Sequence, residues 1–164
     1  MELNLEEQLR YELQKLYSIE THLLDGLKLL STVALNPELK EALTTHREET
    51  KGHVSRIKRI CADLGWPFIG QSSKVIKAME IEILEGLNGA EPGPVTDAFV
   101  IGAGRKAEHF EIASYEAAAA LARMLGNPAV AQRMEETLNE ERAAEEKLRS
   151  IATSVAQAES YPPV

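Results

Sequence analysis

The segment DAFVIGAGRKAEHFEIASYEAAAALARML, residues 97–125, decides how this chain folds. It contains no proline, and its small and apolar residues recur at the three- and four-residue spacing of a helix with a buried face. Two carboxylates, a histidine and a tyrosine nevertheless lie at its centre, in AEHFEIASY at residues 107–115. The apolar face continues through Glu108, Glu111 and Tyr115, so we predict a buried helix face that carries acids.

The rest of the chain also shows helical periodicity, and no stretch alternates polar and apolar residues as a half-buried strand does. We predict four long helices and one short one, over about residues 4–33, 37–64, 96–125 and 128–156, and 73–87. Asn36-Pro37 and Gly126-Asn127-Pro128 are typical of a short link between two helices. The sequence therefore predicts an all-α four-helix bundle, made of two antiparallel hairpins joined by a long crossover that carries the short helix.

Each long helix interrupts its apolar face with acidic or imidazole side chains. These are Glu20 in the first helix, His46 and His53 with Glu49 beside them in the second, Glu108 and Glu111 in the third, and Glu141 and Glu145 in the fourth. Facing residues of an antiparallel hairpin lie equally far from the turn. The acids lie about 14–18 residues from each turn, roughly 21–27 Å along the helix. We therefore predict one inward carboxylate level shared by all four helices, with Glu49 contributed by the second.

Carboxylates buried close together need compensating positive charge. An unpaired buried carboxylate is costly, and the nearby Lys51, Arg105 and Lys106 are too few to balance six acids. Carboxylate and imidazole ligands suit iron or manganese, and zinc to a lesser degree. The pattern therefore predicts two divalent metal ions inside the bundle, Fe or Mn with Zn as a further choice. The structural alternative is that these acids are salt-bridged core residues.

Composition narrows the functional classes. The chain has 164 residues, a net charge of −8 at pH 7 and a single cysteine, Cys61. We expect one domain over residues 1–164, with its core at about 5–155 and a frayed tail from residue 157. The acidic charge argues against a nucleic-acid ligand, and no stretch has the length and apolarity of a membrane span. One cysteine excludes an intrachain disulfide and fits a reducing compartment, so we expect a cytoplasmic protein.

Five segments together carry a family resemblance: LYSIETHLL, THREETKGHVSRI, KAMEIEILEG, DAFVIGAGRKAEHFEIASY and TLNEERAAEEKL. They resemble the ferritin-like superfamily of di-iron carboxylate proteins, and more narrowly its small bacterial stress-associated YciE and YciF branch. The resemblance covers about residues 5–155. It implies a rubrerythrin-like bundle with a di-metal centre, assembly as a homodimer and a role in the bacterial stress response.

Residue by residue, the resemblance assigns metal-ligand positions to Glu20, Glu49, Glu108, Glu111 and Glu141. The family's usual Glu-x-x-His would place histidines at positions 52 and 144, where this chain has Gly52 and Ala144. His53 and Glu145 each lie four residues after a glutamate, and they are the predicted substitutes. An oxygen ligand at Glu145 would make the site harder and more anionic, which favours Mn²⁺ or Fe²⁺ over Zn²⁺.

Three further polar residues lie close to the predicted ligands in sequence. His46 precedes Glu49 by three residues and is interpreted as a residue that orients its carboxylate. His109 points about 100° away from Glu108 on an ideal helix, so we expect it to face elsewhere. Tyr115 lies one turn after Glu111 and is the candidate catalytic residue, with ordinary packing as its alternative.

Two functions remain open from the sequence. The first is an oxidoreductase of the ferroxidase, peroxidase or catalase-like kind, with metal ions and O₂ or peroxide as its partners. The second is a non-catalytic stress or scaffold bundle with a degenerate or single metal site, which the imperfect Glu-x-x-His pattern favours. Because the chain has no paired cysteines for a rubredoxin-like centre, electrons for the first function must come from another protein or a small reductant.

Overall fold

The computed structural model describes residues 4–66 and 71–158, and within those ranges it contains five α-helices and no strand. The helices are α1 (Leu5–Val33), α2 (Pro37–Asp63), α3 (Lys74–Gly89), α4 (Pro94–Met124) and α5 (Pro128–Ala158). All five predicted helices are confirmed. The predicted tail falls outside the described residues from residue 159 onward.

Local sequence signals set the ends of the helices. Asn4 and Glu7 form a capping box at the start of α1, and the side chains of Asn36 and Ser73 accept backbone N–H groups at the starts of α2 and α3. Such caps satisfy donors that the first helical turn leaves without partners. Gly126 has a φ of 69°, a left-handed conformation that glycine adopts without strain, and it lies in the turn between α4 and α5.

Asp97 of α4 fixes the turn between α1 and α2. Its two carboxylate oxygens accept the backbone N–H groups of Leu35 at 2.7 Å and Asn36 at 2.8 Å. The Asp97 residue is only 6% exposed, so these bonds satisfy a buried carboxylate in place of water. The contact holds the start of α4 beside the turn of the first hairpin.

The four long helices form an antiparallel bundle, in which α1 and α5 each pack against α2 and α4. An apolar cluster fills each half of the bundle. One contains Leu9, Leu13, Leu16, Ile57, Ile60, Ala118, Ala122 and Met134. The other contains Leu27, Leu30, Leu39, Leu43, Val100, Ile101, Leu148 and Ile151. The residues that each cluster takes from each helix make α1 parallel to α5, and α2 parallel to α4. The crossover therefore runs the length of the bundle, as the ferritin-like topology requires.

The crossover helix α3 lies on the outside of the bundle against α1 and α4. Its start is held by Ser73, whose backbone N–H donates to Ser18 Oγ at 3.0 Å. Ile76 is its only fully buried residue among those described, and Gly86 lies so close to the Phe99 ring that a Cβ there would collide with it. The loosely packed α3 leaves space between itself and the bundle.

Candidate metal centre

Six polar side chains meet between the two apolar clusters, and each residue is at most 6% exposed. They are Glu20 of α1, His46 and His53 of α2, Glu108 and Glu111 of α4, and Glu141 of α5. Helical spacing explains their convergence, because residues three, four or seven apart share one face of a helix. Four helices thus deliver carboxylates and imidazoles to one level of the bundle.

A first group of four side chains can surround one cation. It consists of His46, Glu108, Glu111 and Glu141, each of which offers one ligand atom within 4.8 Å of the others. His46 Nε2 lies 3.2 Å from Glu108 Oε1 and 3.4 Å from Glu141 Oε2. Three oxygens and one nitrogen form a donor set that suits iron or manganese.

A second group consists of Glu20, His53 and Glu141, so that Glu141 belongs to both. His53 Nδ1 lies 2.9 Å from Glu141 Oε1 and 3.4 Å from Glu20 Oε2. Glu141 therefore presents Oε1 toward His53 and Oε2 toward His46. A carboxylate that offers one oxygen to each of two adjacent groups has the arrangement of a bridging ligand.

The buried oxygens of this cluster lack hydrogen-bond donors. Within the part of the chain that the structure describes, no hydrogen bond reaches either oxygen of Glu111 or Glu141, nor Oε2 of Glu20 and Glu108. Imidazole nitrogens lie near the Glu141 oxygens without being aligned as donors. Native proteins pair nearly all buried polar groups, and a bound ion is one of the few explanations when a group of them stays unpaired.

Three carboxyl groups of the cluster have raised pKa values. Burial raises the pKa of Glu111 well above 4.5, and the neighbouring carboxylates of Glu141, Glu20 and Glu108 raise it further. Burial likewise raises the pKa values of Glu20 and Glu141, although His53 opposes the rise in both. Burial and mutual repulsion therefore disfavour the ionised form of these three carboxyl groups.

The two histidines compensate part of this charge. Burial lowers the pKa of His46, but contacts with Glu108, Glu141 and Glu49 outweigh it and raise the pKa to about 9. Burial lowers the pKa of His53 too, and contacts with Glu141 and Glu20 raise it to about 10. Two protonated imidazoles would balance only two of the four negative charges that the carboxylates of the cluster carry when ionised. Two divalent cations with neutral imidazoles would balance all four, so the residues fit a metal pair.

Each histidine is also held from outside the cluster by a carboxylate. His46 Nδ1 lies 3.2 Å from Glu49 Oε2, and His53 Nε2 lies 2.9 Å from Glu140 Oε2. Arg56 Nη1 donates to the same Glu140 oxygen at 2.8 Å. An outer carboxylate of this kind fixes the tautomer and orientation of a metal-binding histidine. The sequence analysis missed Glu140, since no sequence signal separates it from the surface glutamates of α5.

Tyr115 lies directly beside the second group. It is fully buried, and its hydroxyl donates a hydrogen bond to Glu20 Oε1. Burial and the charge of Glu20 raise the pKa of Tyr115 well above 10, so the phenol keeps its proton. The structure therefore places the predicted catalytic candidate in contact with one predicted metal ligand.

Two predicted ligands lie outside the cluster. The Glu49 side chain is 47% exposed, so the expected inward carboxylate of α2 is replaced by His46. His46 and His53 are two turns apart and define the inner face of α2, which leaves Glu49 to one side. Glu145 instead pairs with Arg105 Nη2 at 2.6 Å. The Arg105 guanidinium therefore supplies Glu145 with a positive charge, and within the described residues the carboxylates of the cluster have no such guanidinium beside them.

His109 points away from the cluster, as predicted. Its side chain is 62% exposed, and Nε2 lies 3.4 Å from Glu145 Oε1. Apart from Glu49 and Glu145, the structure brings together all the predicted ligands, which are Glu20, His53, Glu108, Glu111 and Glu141. His46, predicted only to orient a ligand, joins them.

Comparison with known proteins identifies the family. The profile described as "Domain of unknown function (DUF892)" matches residues 4–160. The chain belongs to the DUF892 family. It is 36% identical over 144 residues to Protein YciF of Escherichia coli (strain K12), across 83% of this chain and 82% of that protein. The match confirms the resemblance to the YciF branch.

Solved structures agree with the bundle of this DUF892 protein. The crystal structure of the E. coli stress protein YciF matches with a TM-score of 0.92 and 31% identity, over 96% of this chain and 100% of that one. YcfI from Rhodopseudomonas palustris matches with a TM-score of 0.87 and 29% identity, over 90% and 94% of the two chains. None of the helices in the described ranges combines the length and apolarity that a membrane crossing needs.

The first group of the DUF892 site is reached by a cavity between α2 and α5. The cavity has a volume of about 290 Å³, and His46 and Glu108 line it together with the acids Glu38, Glu41 and Glu49. Its wall on α5 includes Ala143 and Ala144. The small side chain of Ala144 leaves this opening clear.

A second cavity of about 230 Å³ reaches the same site from the other side, between α1, α3 and α4. Its lining is mostly aliphatic, and Glu108 again belongs to it. The two cavities therefore share the buried Glu108, and they differ in the helices and side chains that line them.

Proposed function

We propose that this protein binds two divalent iron or manganese ions in its bundle and uses them to oxidise Fe²⁺ or to reduce O₂ or peroxide. The placement of Glu141 carries the proposal. Both of its oxygens are buried without hydrogen bonds, and each faces a different histidine. A core carboxylate arranged in this way costs stability in the absence of cations, which argues that it is kept for a bound pair.

Seven ligand contributions are available for the pair. One ion would be held by His46, Glu108, Glu111 and Glu141, and the other by Glu20, His53 and Glu141. Iron or manganese bound there would supply electron transfer to O₂ or peroxide. The almost complete burial of the ligands excludes bulk water and strengthens every charge interaction inside the site.

The outer carboxylates prepare the histidines for this role. When each imidazole is neutral, His46 Nδ1–H donates to Glu49 and His53 Nε2–H donates to Glu140. The lone pairs of His46 Nε2 and His53 Nδ1 then point into the cluster. Arg56 keeps Glu140 ionised, because hydrogen bonds and charge from its guanidinium lower the pKa of that carboxyl against the effect of burial.

Tyr115 is the proposed proton donor of the site. Its phenol stays protonated and donates to Glu20, so it holds one ligand and keeps a proton beside the second group. A fixed hydroxyl at this point can supply a proton to an oxygen atom that is being reduced nearby.

Cations would reach the site through the cavity between α2 and α5. Its acids attract divalent ions, and Glu49 both lines the cavity and contacts His46. Glu49, predicted as a ligand, is thus proposed to guide ions toward the first group and to orient its histidine.

The biological setting is proposed from the family alone. YciF is described as a stress protein, and we extend a role in the bacterial stress response to this chain on that similarity. A cytoplasmic location is likewise a proposal, consistent with one buried, unpaired cysteine, and a homodimer is proposed from the resemblance alone.

A single-metal scaffold is the second candidate function. The first group offers four side chains, whereas the second offers three, of which Glu20 already accepts the Tyr115 hydrogen bond. A protein that fills only the first group would gain stability from its metal and carry out no two-electron chemistry.

Metal stoichiometry separates these functions. Purified, EDTA-treated protein is loaded anaerobically with Fe²⁺ or Mn²⁺, and bound metal is counted after dialysis. We expect about two ions per chain, about one in Glu20→Ala, and a large loss in Glu108→Ala, with no change in the exposed control Glu85→Ala. One ion in the parent and no response to Glu20→Ala supports the scaffold, and unchanged content in all variants refutes the site.

A further inference from the structure

We propose that the cavity between α1, α3 and α4 binds the carbon chain of an aliphatic hydroperoxide, with its O–O group directed toward Glu108. This inference rests on the proposed function and names the substrate class of that site. It also assigns a role to α3, whose loose packing leaves the cavity open.

Most of the cavity wall is apolar, the exposed acids Asp25 and Glu80 and the half-buried His22 also belong to its lining, and Glu108 is its buried carboxylate. The aliphatic residues that line it are Leu23, Leu27, Leu29, Leu30, Ile76 and Ile83. Ala103 and Ala107 of α4 form a flat floor of small side chains that leads to Glu108. Glu108 is 2% exposed, and its Oε2 has no hydrogen-bond partner among the described residues. A mostly apolar cavity with a small number of polar groups is the usual form of a site for a small organic ligand.

Size and polarity select an organic molecule over hydrogen peroxide. A cavity of about 230 Å³ is several times larger than the roughly 30 Å³ that a water molecule occupies in the liquid. An apolar cavity of about 150 Å³ in a protein core is already large enough to bind benzene. Hydrogen peroxide gains nothing from aliphatic walls, whereas each CH₂ group of an alkyl chain gains free energy on burial.

The other cavity provides the contrast that assigns separate roles. The opening between α2 and α5 has Glu38, Glu41 and Glu49 among its lining, which suits a cation and repels an anion. An uncharged hydroperoxide enters more favourably along the aliphatic side. Both routes end at Glu108, so a metal ion and its oxidant can arrive without passing each other.

The reaction balances with iron as the electron source. A hydroperoxide ROOH takes up two protons and two electrons, its O–O bond breaks, and it leaves as the alcohol ROH and water. The two electrons come from two Fe²⁺ ions, each of which becomes Fe³⁺. Tyr115 and solvent supply the protons.

The first test measures binding without metal. Metal-free protein labelled at Ile, Leu and Val methyl groups is titrated with 1-hexanol, an unreactive stand-in for the product alcohol. We expect saturable shifts at Leu27, Ile76 and Ile83, and none at Ile57 or Ile60 in the opposite apolar cluster. Shifts spread over both clusters, or no saturation, would overturn the proposal.

Paired variants place the binding in one cavity. Ala103→Phe fills the proposed cavity, while the matched Ala143→Phe enters the one between α2 and α5. The first should weaken hexanol binding at least tenfold and the second should leave it unchanged. Ile83→Trp fills the same space from α3 and replaces Ala103→Phe if circular dichroism shows that the latter fails to fold. Equal binding by parent and filled variants refutes the proposal.

The second test uses protein loaded with Fe²⁺. Ala103→Phe should slow single-turnover oxidation by tert-butyl hydroperoxide at least tenfold and leave oxidation by H₂O₂ unchanged. Equal slowing of both oxidants contradicts the proposal. Failure to retain iron in the parent instead removes the proposed function, and the hexanol titration then decides the cavity by itself.

Discussion

Replacing Glu111 with glutamine should stabilise the metal-free protein, although it removes a proposed metal ligand. The Glu111 residue is 1% exposed, and neither carboxylate oxygen has a hydrogen bond within the described residues. Burial and three nearby carboxylates raise its pKa well above 4.5. An acid whose pKa is raised by folding contributes most stability at low pH, and that contribution is lost as the pH rises above 4.5.

The magnitude follows from proton linkage. While Glu111 stays protonated in the folded state, each pH unit above 4.5 costs about 1.4 kcal/mol of folding free energy. The cost is below about 1 kcal/mol at pH 5 and at most about 4 kcal/mol at pH 7.5. Glutamine stays neutral throughout. The free energy of unfolding of Glu111→Gln should therefore exceed that of the parent by an amount that grows by up to about 3 kcal/mol between these pH values.

Urea denaturation of EDTA-treated proteins at pH 5 and pH 7.5, followed by circular dichroism, measures this difference. Glu85→Gln, an exposed change of the same kind on α3, should leave the free energy of unfolding unchanged within about 0.5 kcal/mol. With Mn²⁺ present the order should reverse, because only the parent gains the full binding energy. A gap between Glu111→Gln and the parent that does not grow with pH would refute a buried, unpaired carboxylate at this position.

Three further predictions concern residues around the cluster. Glu49→Gln keeps an acceptor for His46 but removes a charge from the cavity between α2 and α5. Co²⁺ loading, followed by stopped flow at low salt, should therefore slow several-fold while the final metal stoichiometry stays the same. An altered stoichiometry would make Glu49 a ligand. Glu145→Gln should leave the metal content measured after dialysis unchanged. It should lower the free energy of unfolding by about 1 kcal/mol or less, because the partner of Glu145 is the half-buried Arg105. A loss of metal would contradict the placement of Glu145 outside the cluster. Asp97→Ala should lower the free energy of unfolding in urea by about 1–3 kcal/mol, since two backbone N–H groups lose their acceptor. Asp97→Asn should lower it less. Equal stability of the parent and both variants would contradict the contact between Asp97 and the turn.

The helices were predictable because their signals are local. Caps, first-turn prolines and the glycine at position 126 mark each boundary within a few residues, and apolar periodicity gives the inner face. The same periodicity identified Glu20, Glu108, Glu111 and Glu141 as buried acids. Such residues stand out because polar side chains rarely occupy a buried helix face.

The residues at the edge of the site were harder to predict. His46 and Glu49 both lie near the inner face of α2, and the family pattern favoured the glutamate, whereas the structure turns the histidine inward. The rotation of a helix about its axis depends on packing against its neighbours, which a single sequence does not specify. The Arg105 pair of Glu145 and the Glu140 contact with His53 cross between helices, so they too depend on that packing.

Anomalous diffraction from crystals grown with Mn²⁺, recorded above and below the manganese edge, tests the paired metal site most directly. We expect two peaks per chain, one among His46, Glu108, Glu111 and Glu141, and one among Glu20, His53 and Glu141, with Glu141 between them. A single peak in the first group would establish the scaffold alternative. The absence of any peak within this cluster would contradict the paired metal site, whether or not metal is bound elsewhere on the protein.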